Sequence, residues 1–148
     1  MTIDHDSLTP LPRRNVRDVV LVVDDDRYVR EATADLLEME GYEVTVAEHG
    51  HAGLVLLGAG LRPAVIVLDL MMPMMNGWQF RCAQVRDPAL ADIPIVVTTA
   101  GQVDMHRFGA VFGDAPLLRK PVDGDALLAS IADACRAARP FLRAGGSL

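Results

Sequence analysis

At 148 residues the chain is long enough for one domain with a sizeable core, and 51 % hydrophobic content with few aromatics is ordinary for a soluble globular protein. Twenty acidic residues against fourteen basic ones leave a net charge of −6, which argues against nucleic acid as a direct ligand of the surface. No apolar run reaches membrane-spanning length and the N-terminus has no signal-peptide core; Cys82 and Cys135 stand alone in helical patterns without metal-ligand spacing, so a cytoplasmic chain with reduced, core or half-buried cysteines is expected.

Residues 1–17 are polar, hold Pro10 and Pro12 and show no period, which reads as a flexible leader. Asp18-Val19-Val20-Leu21-Val22-Val23 is a first buried strand, ending in Asp24-Asp25-Asp26. Asp26 caps the next segment, where Val29, Ala32, Leu36 and Met39 recur at helical spacing and Gly41 closes the helix. Glu43-Val44-Thr45-Val46-Ala47 is the second strand and Ala52-Gly53-Leu54-Val55-Leu56-Leu57 the second helix. Between them His49 and His51, with no acidic or cysteine partner, are expected to be solvated.

Val65-Ile66-Val67-Leu68-Asp69, bounded by Pro63 and Pro73, is too short for a helix and apolar on both faces, as a central strand of a parallel sheet requires. Of Met71, Met72, Met74 and Met75, two are expected to pack inward. Asn76-Gly77 turns the chain into a helix through Trp78, Phe80 and Val85, stopped by Asp87-Pro88. Ile93-Pro94-Ile95-Val96-Val97-Thr98-Thr99 is the fourth strand, with Pro94 tolerated at its entry. A helix over 103–112 contains the weakening Gly109, and Leu117-Leu118-Arg119 is a short fifth strand. Asp123 caps a last helix in which Leu127, Leu128, Ile131 and Cys135 share a face. The domain is placed at residues 18–139, with a short tail at 140–148. Strand and helix alternate five times through short connections, which specifies a doubly wound α/β sandwich.

In such sheets the chemistry gathers at the carboxyl ends of the strands. That rim receives Asp24 and Asp25 from the first strand, Asp69 from the third, Thr99 from the fourth and Lys120 from the fifth. Several carboxylates in one cleft repel one another and are stable together only with a cation among them. Oxygen ligands without histidine or cysteine favour Mg²⁺. A hydroxyl and an ammonium opposite suit the oxygens of a phosphoryl group, whose transfer depends mostly on positioning and charge neutralisation.

Val22-Val23-Asp24-Asp25-Asp26, Leu68-Asp69-Leu70-Met71-Met72-Pro73-Met74-Met75-Asn76-Gly77, Val97-Thr98-Thr99-Ala100 and Arg119-Lys120-Pro121 resemble, in order and spacing, the response-regulator receiver domain of two-component signalling, the family of chemotaxis regulators. The resemblance covers residues 18–138 and implies a flavodoxin-like five-stranded parallel sheet in the order 2-1-3-4-5. It implies that Asp69 accepts a phosphoryl group from a kinase histidine or a histidine phosphotransfer protein. Asp25 matches a direct Mg²⁺ ligand, Asp24 the acid that holds the metal's water shell, and Met71 a backbone-carbonyl ligand. Thr99 matches the hydroxyl that moves onto the phosphoryl oxygen, and Lys120 the cation that pairs with it. Lys120-Pro121 matches a position where the peptide bond is often cis.

The departures are Asn76 for the commoner aspartate before glycine, Gly101 for a larger residue, and Leu117 for the usual switch tyrosine or phenylalanine. The expected protein is a stand-alone regulator, monomeric or weakly dimeric, acting on a downstream protein through conformational change. A haloacid-dehalogenase-like phosphatase needs a second acid where Met71 stands, and a nucleotide-binding Rossmann domain needs glycines where three aspartates stand. A receiver-like scaffold that works without phosphorylation is the remaining alternative, favoured by Leu117.

Overall fold

The structure, a computed structural model, describes residues 18–146, so the expected leader lies outside the described residues. Five strands, β1 (Val19–Val23), β2 (Glu43–Ala47), β3 (Val65–Asp69), β4 (Ile95–Thr99) and β5 (Leu117–Arg119), form one parallel sheet in the order β2-β1-β3-β4-β5. They alternate with helices α1 (Arg27–Met39), α2 (Gly50–Gly58), α3 (Gly77–Arg86), α4 (Met105–Phe112) and α5 (Gly124–Gly146). This is the flavodoxin-like order that the resemblance implies.

Successive strand residues point to opposite faces, and the two faces carry separate cores. Leu21, Val23, Ile66, Leu68 and Val97 pack with Leu57 of α2, Phe80 of α3 and Phe108 and Phe112 of α4. Val20, Val22, Val65, Val67 and Val96 pack with Leu37 of α1 and with Leu127, Ile131 and Cys135 of α5. β3 and β4 are buried at every position, which is why their sequences read as unbroken apolar runs.

Several expectations shift locally. In α1 the fully buried residue is Leu37, while Ala32 is exposed and Met39 is 83 % exposed. Two residues beyond Leu37, Met39 stands nearly opposite it on a helix of 3.6 residues per turn. In α3, Gln84 is buried and Val85 is 46 % exposed, the reverse of the apolar pattern. α2 begins at Gly50 because His49 is its N-cap, with Nδ1 accepting the Ala52 N–H at 3.0 Å; His49 is half-buried and structural rather than merely solvated.

β4 begins at Ile95 rather than Ile93, yet the Pro94 carbonyl still accepts the Ile66 N–H at 2.9 Å. α4 starts only after its cap Asp104, two residues later than expected. α5 is helical through Arg139-Pro140 to Gly146, across the point where a tail was expected; proline lacks one donor but keeps a helical φ. Met72 and Met75 pack inward, whereas Met71 and Met74 are 55 % and 96 % exposed. Neither cysteine is in a disulfide; Cys135 is buried as expected, but Cys82 is exposed rather than half-buried.

Candidate functional site

Asp24 follows β1, tied to the neighbouring strand by its N–H on the Ala47 carbonyl at 3.2 Å. Its Oδ1 accepts the Asp26 N–H at 2.9 Å, and its own carbonyl accepts Arg30 Nη1 at 2.8 Å. Asp26 is the N-cap of α1, accepting the Tyr28 and Val29 N–H groups, as expected, while Asp24 and Asp25 stand with Asp69 in the acidic cluster. Asp69 is the last residue of β3 and is 2 % exposed. Its Oδ1 accepts the Met71 N–H at 3.2 Å.

Close packing beneath the following helix holds that loop in place. A β-carbon on Gly77 would lie 2.8 Å from the Leu70 Cα and 3.0 Å from the Asp69 carbonyl oxygen, so only glycine lets α3 start so near the end of β3. Asn76 and Gln79 close a reciprocal capping box there, so asparagine does the work expected of the commoner aspartate.

Lys120 follows β5, and its N–H bonds to the Thr99 carbonyl at 2.8 Å, fixing it beside the end of β4. The Lys120–Pro121 peptide bond is cis. Lys120 Nζ lies 2.9 Å from Asp24 Oδ2 and 3.3 Å from Asp69 Oδ2. Asp24, Asp25 and Asp69 each present a carboxylate oxygen within 4.8 Å of the others, Asp25 from the exposed side. Thr99 is fully buried, and its Oγ1 accepts the Gly101 N–H at 3.2 Å. Met71 lies in the Asp69 loop with its side chain outward.

Burial, and then the Asp24 charge, push the Asp69 carboxyl up to about 6, against the opposing pull of Lys120 and the Met71 N–H. Burial also works to lower the Lys120 ammonium, but the hydrogen bond and charge of Asp24, and then Asp69, outweigh it and raise that group. The cleft thus holds one ammonium against three acids. The donors are hard oxygens of mixed exposure, with no thiolate or imidazole among them, and this set fits a small divalent cation such as Mg²⁺.

Two contributors were not legible as site residues. Arg30 reaches back from α1 to the Asp24 carbonyl, and Arg119 Nη1 donates to the Gly101 carbonyl at 3.0 Å, pinning the loop after Thr99. The only sequence signal for Arg30 was its place one turn into a helix whose side chains lean toward the N-terminus. Leu117, at the switch position, is half-buried and packs against the α2–α3–α4 core.

Comparison with known proteins places this geometry in a family. A profile of the response regulator receiver domain matches residues 20–132. The response regulator MprA of Mycolicibacterium vanbaalenii is 39 % identical over 129 residues, covering 86 % of this chain and 54 % of that protein. The DNA-binding dual master transcriptional regulator RpaA of Synechocystis is 36 % identical over 113 residues, covering 76 % of this chain and 46 % of that protein. The chain therefore spans about half the length of the curated relatives it matches. Among solved structures, the Vibrio cholerae chemotaxis protein CheY4 matches with a TM-score of 0.73 at 28 % identity, over 80 % of this chain and 98 % of that one. The response regulator StyR matches with a TM-score of 0.74 at 30 % identity, over 88 % of this chain and 65 % of that one. Among the described residues no helix is long and apolar enough to cross a membrane. From the profile match and these relatives, the chain belongs to the response regulator receiver domain family of two-component signalling.

Proposed function

We propose that this receiver accepts a phosphoryl group on Asp69 from the phosphohistidine of a histidine kinase or a histidine phosphotransfer protein, and signals by conformational change. The observation that carries the reading is the Lys120 ammonium set between Asp24 and Asp69, 2.9 and 3.3 Å away, beside a third carboxylate. Asp24, Asp25, Asp69 and the Met71 carbonyl would hold a Mg²⁺ ion, which when bound neutralises the charge of the phosphoryl oxygens and the carboxylate that attacks them.

A carboxyl that titrates at about 6 is ionised at neutral pH and available as a nucleophile. Its oxygen forms the new bond to phosphorus while the bond to the imidazole nitrogen breaks and its electron pair leaves with the ring. Lys120 is positioned to pair with a phosphoryl oxygen, and the Thr99 hydroxyl, which accepts the Gly101 N–H, has its own proton to donate to another. The receiver's own contacts are with proteins; a net charge of −6 disfavours nucleic acid as its ligand.

The test is incubation with Mg²⁺ and acetyl phosphate or phosphoramidate, followed by intact mass and peptide mapping. One added phosphoryl group on Asp69 is expected, slowed by Asp25→Asn and lost in Asp69→Asn. Equal labelling of Asp69→Asn would overturn the assignment. Absence of labelling in the parent would favour a phosphorylation-independent scaffold, the reading that draws on Leu117.

A further inference from the structure

Thr98 and Thr99 alternate in direction along β4, and Thr98 faces the side of the sheet where α1 and α5 cover the second core. A cavity of about 210 Å³ lies there, walled by Val22 and Val67 of the sheet, Val29 and Thr33 of α1, and Leu127 of α5. Thr98 also lines it, and Asp24 and Lys120 close the end nearest the acidic cleft. The Thr98 hydroxyl is buried and has no hydrogen-bond partner among the described residues.

Valine has nearly the same shape and would complete this wall without leaving a polar group unpaired. Buried hydroxyls almost always have a partner, because one without is costly. A rotation between staggered χ1 wells is enough to change which Thr98 substituent faces the cavity. A bound water needs two to four polar partners, and this wall is mostly aliphatic. A charged guest is disfavoured from both directions: an anion would meet Asp24 and a cation Lys120, which already satisfy each other at 2.9 Å. An apolar cavity of about 150 Å³ suffices for benzene, so the space here admits a ring with one polar substituent.

We propose that this cavity binds a small, uncharged, mainly apolar molecule carrying one hydroxyl or carbonyl, which the Thr98 hydroxyl engages. Its occupant lies behind Asp24 and Lys120, so the site is a second input to the domain, distinct from phosphoryl transfer. Binding does not depend on the phosphoacceptor reading and is measured without metal or phosphodonor.

The experiment titrates ¹⁵N-labelled full chain, in EDTA, with phenol, toluene and benzoate. Saturable shifts of the Thr98, Val122 and Leu127 amides by phenol are expected, with amides near Phe112 unmoved. Thr98→Val, nearly isosteric, should weaken phenol about fivefold, the effect of one modest hydrogen bond, while leaving toluene unchanged; Thr98→Ser should retain phenol binding. The proposal is overturned if phenol gives no saturable shift at these amides, if Thr98→Val binds phenol as tightly as the parent, or if benzoate binds more tightly than phenol.

Discussion

Two buried polar clusters lie in this domain, and they are completed to different degrees. Under α3, Gln84 is fully enclosed; its Nε2 donates to the Leu90 and Ile93 carbonyls at 2.8 and 3.0 Å, and its Oε1 accepts Arg81 Nη1 at 2.8 Å. Arg81 in turn donates from Nε to the Val111 carbonyl at 3.3 Å, joining α3 to the end of α4. At the carboxyl edge of the sheet, Asp69 is nearly as buried but accepts one backbone N–H and shares one ammonium with Asp24. The first cluster is closed on itself and holds the fold together. The second keeps spare acceptor capacity in a place where charge is costly, which is the capacity that the proposed cation and phosphoryl group would use. Breaking the two should therefore move stability in opposite directions.

The largest effect is expected at the closed cluster. Gln84→Ala strips a donor from two carbonyls, leaves the Arg81 guanidinium short of an acceptor and opens a void, together costing about 2–3 kcal/mol. Urea denaturation measures it, and a variant as stable as the parent would show that the network contributes nothing. The open cluster should respond to metal instead. Mg²⁺ held by the assembled carboxylates and not by the unfolded chain would, at a hundredfold excess over its dissociation constant, contribute about 2.7 kcal/mol and raise Tm. A Tm indifferent to millimolar Mg²⁺ would count against a working site, and a clearly larger shift with Zn²⁺ or Ca²⁺ would count against the choice of ion.

A smaller effect separates the clusters by pH. In the metal-free protein the Asp69 carboxyl is raised from its ordinary value to about 6. Below pH 4 the group is protonated whether the chain is folded or not, and it contributes nothing. As pH rises from about 4 to about 6 the unfolded chain loses that proton first, so stability falls across this window and stays lower above it. In EDTA, Asp69→Asn should remove that slope and be more stable than the parent at pH 7, although on the proposed function it takes no phosphoryl group. A variant less stable than the parent at pH 7 would mean that Lys120 more than offsets the repulsion.

The open cluster was legible in the sequence and the closed one was not. Asp69 ends a run whose every residue is buried, so its place on the rim followed from the strand pattern; Asp24, Thr99 and Lys120 followed in the same way. Gln84 carries no apolar signal, and a helical period that favours Val85 over it hides a buried amide. The His49 cap was hidden for a similar reason, since imidazole is an uncommon N-cap and only the Ala52 N–H on Nδ1 reveals it. The exposed Met39 shows the same limit of periodicity: hydrophobicity marked it for the core, and the rotation of α1 against the sheet placed Leu37 there.

The smallest expected effect concerns how the proposed phosphorylation of the open cluster would reach the surface. In the receiver family the hydroxyl matching Thr99 moves toward the phosphoryl group and an aromatic ring swings into the vacated space. Here that position is Leu117, already packed against the α2–α3–α4 core, with no ring to swing and no hydroxyl to leave in water. Turning a fully buried leucine outward costs about 1.5–3 kcal/mol, and a half-buried one less, so rotation is opposed at Leu117 without being forbidden. The loop after Thr99 is differently held. Gly101 gives its N–H to Thr99 Oγ1 and its carbonyl to Arg119, while a β-carbon there would meet nothing within 4 Å. If the Thr99 hydroxyl turns to a phosphoryl oxygen, as the proposed function has it, the Gly101 N–H loses its acceptor, and the exposed Arg119 contact and Val103 against the core are what still hold the loop back. Amide shifts with and without beryllofluoride should therefore be large over residues 99–104 and around Asp69, and small at Leu117, Leu118 and Leu127. Arg119→Ala should widen the response of the loop without extending it along β5. Equally large shifts through Leu117 and Leu118 would return the switch to β5 and show that leucine can do there what an aromatic ring does.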